Sequence, residues 1–153
     1  MSGTPTKTRR YQSRFLFGVD DKRRLQIPAK WLSETEGTEL TMVVWPQHEA
    51  GVCLRVLPPE RMAKLEEDIQ AMAKGDKRKI FLKRFIGSNS VHIAVDKAGR
   101  ISLPEEMAKA AGIRDKAWLV GILDQFEIWL EDRYEKAKVA DSAIEQEAFG
   151  LME

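Results

Sequence analysis

Residues 17–31 read FGVDDKRRLQIPAKW, and residues 93–107 read IAVDKAGRISLPEEM. A shift of 76 positions lays one on the other. Asp20 then falls on Asp96, Arg24 on Arg100, Leu25 on Ile101, Ile27 on Leu103, Pro28 on Pro104 and Trp31 on Met107. Each copy is an Asp-x-x-x-Arg turn, an apolar–polar–apolar run, a proline and a short amphipathic stretch. The charged tetrad of the first copy, DKRR at 21–24, must sit at the surface, because unpaired charges are costly to bury. The alternation that follows marks a short return strand. Proline has no amide proton to lose, so it suits the first turn of a helix. One chain therefore holds the same small unit twice.

The 153 residues are sized for one domain. Each half, at about 75 residues, is small for a core of its own. Two similar halves completing one core, as an internal pseudo-dimer, is the economical arrangement. Composition is that of a soluble globular protein. The single cysteine, Cys53, excludes a disulfide framework within the chain and fits a reducing compartment. No apolar run approaches the roughly 18–20 residues that span a bilayer. The start, MSGTPTKTRRYQSR, is basic without an apolar segment, so it does not read as a secretory signal. The cytoplasm is the expected compartment.

Net charge is +1, but it is unevenly spread. Residues 1–30 carry eight cations against Asp20 and Asp21, a net of +6, and the remainder carries −5. Two readings stand: a local anion-binding surface, or a solvated tail.

In order, residues 1–10 contain no apolar residue beyond the first Met and read as a disordered basic arm. Tyr11 to Val19 reads as a strand, and Thr41–Trp45 and Cys53–Leu57 as two more. Pro59 opens a helix whose Met62, Leu65, Ile69 and Met72 share one face, with Gly75 as its end. Lys77 to Ile86 is a second helix, broken by Gly87 and Ser88. Ser90–Val95 is a strand, Pro104–Ala111 a helix closed by Gly112, and Trp118–Ile122 and Phe126–Leu130 the last strands. Glu131–Ile144 reads as a helix, followed by an acidic tail that frays. Lys74, Lys77, Arg78, Lys79, Lys83 and Arg84 face a single acid, Asp76. That cluster is either the wet face of the helix pair or a nucleic-acid contact.

The paired Asp-x-x-x-Arg loops, each ahead of an apolar-x-apolar-Pro strand end, resemble the double repeat of the MraZ family of transcriptional regulators. The second half is the fuller match: VDKAGRISLP, then AAGI, then LVGILDQFEIW. The first departs at Arg23, where the pattern has the glycine that the second copy keeps at Gly99. The resemblance covers roughly residues 11–134. It implies an α+β, sheet-dominated fold. Two AbrB/SpoVT-like swapped-hairpin repeats, 11–60 and 88–134, would form one pseudo-twofold β-barrel. A helical linker would fill 61–87, and a C-terminal helix and tail 135–153. It further implies a homo-oligomeric, octamer-like ring in the nucleoid that binds double-stranded DNA. The DNA would be direct repeats upstream of the cell-division and cell-wall gene cluster, with the protein as repressor.

The chemistry of the loops agrees with that expectation. Arginine presents a planar fork of donors that matches a phosphate or the edge of a guanine. A carboxylate four residues earlier can take loop amides, or the arginine itself, and hold the turn. Arg24 and Arg100 are therefore the expected DNA contacts, helped by Lys22, Arg23, Lys97 and Arg14. Asp20 and Asp96 are expected to structure the loops. On the residues alone, a simple Asp–Arg staple of each hairpin explains the pattern equally well. Trp45, Trp118 and Trp129 are open to core burial or to subunit contact.

Nothing in the chain spells out catalysis. His48 and His92 have no partner at metal-ligand spacing, and no phosphate-binding or nucleophile-elbow motif occurs. Cys53 lies in an apolar strand, where inert burial is expected. The chain reads as a non-enzyme without cofactor, metal or small-molecule substrate. The alternative to a DNA-binding regulator is a protein-binding ring of the antitoxin kind.

Overall fold

The computed structural model describes residues 9–35 and 37–153. The basic arm expected over residues 1–10 lies outside them as far as residue 8. The first half contains β1 (Arg14–Gly18), β2 (Arg24–Gln26), α1 (Ala29–Thr35), β3 (Leu40–His48) and β4 (Gly51–Leu57). Two helices follow, α2 (Pro59–Gln70) and α3 (Lys77–Ser88). The second half contains β5 (Ser90–Ile93), β6 (Arg100–Ser102), α4 (Glu105–Ala111), β7 (Lys116–Gly121) and β8 (Phe126–Trp129). The chain ends in α5 (Glu131–Asp141), a tight 3-10 turn at Ser142–Ile144, and α6 (Glu145–Gly150). The fold is α+β and sheet-dominated.

A six-stranded antiparallel sheet has the order β1-β7-β8-β4-β3-β5, and β2 and β6 form a separate two-stranded ribbon. Exchange each first-half strand for its second-half counterpart, and the same order reads from the other edge. The halves interlace. β1 pairs with β7, not with its own hairpin, and β5 pairs with β3. The two hairpins meet at the centre, where Leu54 faces Ile128 and Val56 faces Phe126. Neither half could close this sheet without strands from the other.

The core follows from that interlacing. Tyr11, Trp31 and Phe126 pack ring against ring at 5.0–5.5 Å between centroids. Around them lie Leu25, Ile27, Leu40, Met42, Leu54, Ile101, Leu103 and Leu119, all essentially inaccessible. Each fully buried side chain of this size contributes roughly 1.5–3 kcal/mol. A second cluster under α5 buries Trp129 with Cys53 and Ala137, and Trp45 and Trp118 pack on it partly covered. Trp129 is thus a core residue.

Several element ends differ from the sequence reading, each for a local reason. The first strand starts at Arg14, because Ser13 takes a positive φ of 76° and leaves Tyr11 bridged only to Leu123. Arg9 is tied to the fold at the edge of the expected arm: it donates to both Glu60 carboxylate oxygens, the Glu34 carbonyl and the Thr38 hydroxyl. α2 stops at Gln70, well before Gly75, where Ala71 caps it through its own amide. α3 runs through Gly87 and Ser88, since the Ser88 hydroxyl donates back to the Arg84 carbonyl. The expected fraying tail continues as the 3-10 turn and α6. The Glu131 helix itself closes at Asp141, short of Ile144.

Candidate nucleic-acid interface

The two Asp-x-x-x-Arg turns share one hydrogen-bond scheme. In the first, Asp20 Oδ1 accepts from the backbone amides of Lys22 (3.0 Å) and Arg24 (2.7 Å), and Oδ2 accepts from Arg24 Nε at 2.7 Å. In the second, Asp96 Oδ1 accepts from Ala98 (2.9 Å) and Arg100 (2.8 Å), and Oδ2 from Arg100 Nε at 3.1 Å. The backbone closes each turn the same way, with the Asp amide donating to the Arg carbonyl. The arginine amide, foremost, holds each carboxyl below the usual aspartate range, and the arginine side chain adds to it.

The position before each arginine needs a left-handed backbone: Arg23 has φ 59° and Gly99 has φ 80°. Glycine adopts it freely, and arginine does so only at a cost. Arg23 gains a compensating bond, since its Nε donates to the Leu103 carbonyl at 3.0 Å. The backbone crosses over in matching fashion. Leu103 N–H donates to the Arg23 carbonyl, and Ile27 N–H donates to the Gly99 carbonyl.

These crossings belong to the β2–β6 ribbon, which sets the two turns side by side. Arg24 pairs with Ser102, Leu25 with Ile101 and Gln26 with Arg100. Strand alternation turns Leu25 and Ile101 inward, where both are buried, and leaves Arg24, Gln26, Arg100 and Ser102 on the outer face. Arg24 and Arg100 are diagonal neighbours there, about 7–8 Å apart by antiparallel geometry. Each guanidinium spends its Nε on its own aspartate. Among the described residues, the Nη groups of both make no hydrogen bond within the chain, and each arginine side chain keeps about a third of its surface open. Lys22, Arg23 and Lys97 stand exposed on the turns beside them.

The single cysteine and the two histidines are engaged elsewhere. Cys53 is buried, and burial foremost, then the Glu127 carboxylate, pushes its thiol far up. His48 contacts Asp141 and His92 contacts Glu39. Among the described residues, no group of three His, Cys, Asp or Glu side chains could hold a metal ion. No helix among them is long and apolar enough to cross a membrane.

A family model described as "MraZ protein, putative antitoxin-like" matches residues 86–149. The protein named Transcriptional regulator MraZ from Leuconostoc citreum (strain KM20) is 31% identical over 117 residues, which cover 76% of this chain and 78% of that one. The chain belongs to the MraZ family. The Clostridium tetani (strain Massachusetts / E88) protein of the same name is 31% identical over 137 residues, 89% of this chain and 92% of its own. That of Pseudomonas putida (strain GB-1) is 27% identical over 129 residues, 84% and 85% of the two chains. These MraZ relatives are named as transcriptional regulators, not as enzymes, and this chain is read with them as a non-enzyme.

Within this MraZ chain, the family model spans the second turn, Asp96 to Arg100, and stops short of the first. The ribbon brings together Arg24, Arg100, Arg23, Lys22 and Lys97, with Asp20 and Asp96 behind them. Arg14 stands apart. It opens β1 at the end away from the turn, with its guanidinium over the Trp118 and Tyr134 rings and bonded to the Tyr134 hydroxyl. One site residue escapes sequence reading. The Gln26 side-chain amide donates across the ribbon to the carbonyls of Gly99 (2.9 Å) and Ala98 (3.3 Å), clamping the second turn from the first half. Its counterpart in the repeat is Ser102, too short to make the same reach, so the repeat pattern carries no sign of it.

Proposed function

We propose that this MraZ chain is a sequence-specific DNA-binding transcriptional regulator. It acts as a repressor on direct repeats upstream of the cell-division and cell-wall gene cluster that includes its own gene. The single observation that carries the reading is the pair of arginines, Arg24 and Arg100, with free Nη groups on the outer face of a two-stranded ribbon. A major groove admits such a ribbon, and arginine forks match the O6 and N7 acceptors of guanine. Lys22, Arg23 and Lys97 flank the ribbon and take the phosphates, which position the protein without reading sequence. Asp20 and Asp96 fix the arginines through their Nε groups, so less side-chain entropy is lost on binding. Arg14, over the Trp118 and Tyr134 rings, stands at the end of β1 away from the ribbon.

The assembly is part of the same reading. Two swapped-hairpin repeats, 11–60 and 88–134, close as one barrel about the pseudo-twofold axis, with 61–87 as the linker and 135–153 as the tail. One ribbon gives few contacts, whereas specific interfaces bury on the order of 1,000–2,500 Å² of protein. A homo-oligomeric, octamer-like ring in the cytoplasm, on the nucleoid, sets several ribbons on several repeats and gains by avidity.

The test is fluorescence anisotropy with DNA from upstream of the gene, at two salt concentrations, against a scrambled duplex. Preference for the upstream DNA that persists at higher salt supports base readout by the ribbon. Equal, weak binding to both duplexes rejects it and directs the search to a protein partner.

A further inference from the structure

Among the described residues, six of the nine large apolar side chains left exposed lie in two places of opposite charge, the others being Val91, Leu123 and Val139. The first is one face of α3. Lys77, Ile80, Phe81 and Arg84 recur at i, i+3, i+4 and i+7, so they share a side of the helix, and all four are exposed. Ile80 is 54% accessible and Phe81 58%, with the Phe81 ring stacked on Phe85 at 6.1 Å. Six cations lie between Lys74 and Arg84. Asp76 is bonded to Arg78, and Lys79 is bonded to the carbonyls that end α2. That leaves Lys74, Lys77, Lys83 and Arg84 without an ion pair among the described residues.

The second place is the C-terminal segment around α6. Ile144, Phe149, Leu151 and Met152 are 56–87% accessible. Glu145, Glu147 and Glu153 are interspersed with them, and no cation follows Lys138. Adjacent exposed apolar side chains beside unpaired cations fit a surface that meets a partner. DNA would use the α3 cations but has no use for Ile80 and Phe81. A second copy of this chain supplies both what that face lacks: apolar side chains and carboxylates.

We propose that the acidic, apolar α6 segment of one copy docks on the basic, apolar face of α3 in the next. The inference rests on the homo-oligomeric reading above and names the contact that builds it. Because the two surfaces differ, the joint is head-to-tail, and head-to-tail joints that close generate rings. Opposite charges set the register and speed the encounter, while Phe81, Ile80, Phe149 and Leu151 supply the buried area.

Two variants test it, Ile80→Asp/Phe81→Asp and Phe149→Asp/Leu151→Asp, with circular dichroism to show that each is folded. Mass is read by sedimentation or light scattering. The wild type assembles, each variant alone is a monomer, and a one-to-one mixture gives a heterodimer, because one joint of the two survives. If the wild type assembles and both variants assemble to the same mass, the α6–α3 contact is overturned while the ring stands. A monomeric wild type overturns the ring reading, and this contact with it.

Discussion

The two Asp-x-x-x-Arg turns reach one geometry from different residues, and the difference shows what shapes them. The second has Gly99 at the left-handed position and the first has Arg23. A Cβ at Gly99 would lie 2.8 Å from the Gln26 amide and 3.4 Å from the Leu32 side chain. At the equivalent positions near the first turn stand Ser102 and Ala108, both smaller. The side of the ribbon that faces Arg23 is thus open where the side that faces Gly99 is filled. Arg23 can accept the backbone strain because space and a carbonyl partner, Leu103, are at hand. The turn shape itself comes from the aspartate, whose three bonds are the same in both copies, and from the ribbon register. Glycine is demanded by crowding on one side only.

The comparison can be broken at its tightest point. Gly99→Ala adds a Cβ against Gln26 in a strained backbone region, and should cost about 1–3 kcal/mol. The fall in Tm would be several degrees. Pairing it with Gln26→Ala should recover part of the loss. No change in Tm for the single variant would mean that crowding does not explain the glycine.

Acid offers the next largest effect, and it should strike both turns alike. Both carboxyls are held below their ordinary 3.8 in the folded chain. Their contribution to stability is therefore complete above that value and is lost as pH falls through the lower folded values. Exchange of the Arg24 and Arg100 amides, corrected for the pH dependence of intrinsic exchange, should accelerate together in that acid window and stay flat between pH 5 and 8. A rise at one turn alone would show that the two aspartates are not equivalent.

Gln26→Ala by itself removes the cross-ribbon clamp and should cost about 0.5–1.5 kcal/mol, felt at Ala98 and Gly99 and not at Lys22 and Arg23. The smallest effect belongs to Arg23→Gly. Relief of the left-handed strain, about 1–2 kcal/mol, is offset by the lost bond to Leu103 and by the added freedom of glycine in the unfolded chain. Chemical denaturation should place this variant within about 1 kcal/mol of the wild type. A large loss would mean that the Arg23 side chain organises the first turn.

Much of this was legible in the residues. The 76-residue offset that aligns Asp20 with Asp96 also separates the starts of β2 and β6 and of α1 and α4. The Asp-to-amide bonds follow from side-chain reach, which is local. What stayed hidden is non-local. Aromatic and β-branched content marks a strand between Tyr11 and Val19 but does not show that it joins β7 across the repeat. In sequence Arg14 is one more cation of a basic start; its contacts with Trp118 and Tyr134, more than a hundred residues away, do not show there. A single glycine weakens a helix only by about 1 kcal/mol, so Gly87 does not end α3, while α2 ends at Gln70 with no glycine there to mark it. A serine hydroxyl at Ser88 then suffices to carry the last turn of α3.

Arg24 and Arg100, presented by one ribbon, are proposed to read DNA together. The most direct measurement compares wild type with an Arg24→Ala/Arg100→Ala variant of unchanged oligomeric mass, on upstream and scrambled duplexes at fixed salt. Each lost bidentate base contact is worth about 1–3 kcal/mol. The variant should lose its preference for the upstream duplex and keep only weak binding common to both. A variant that retains the wild-type preference would contradict it, and would leave the Asp–Arg pairs as staples of their own turns.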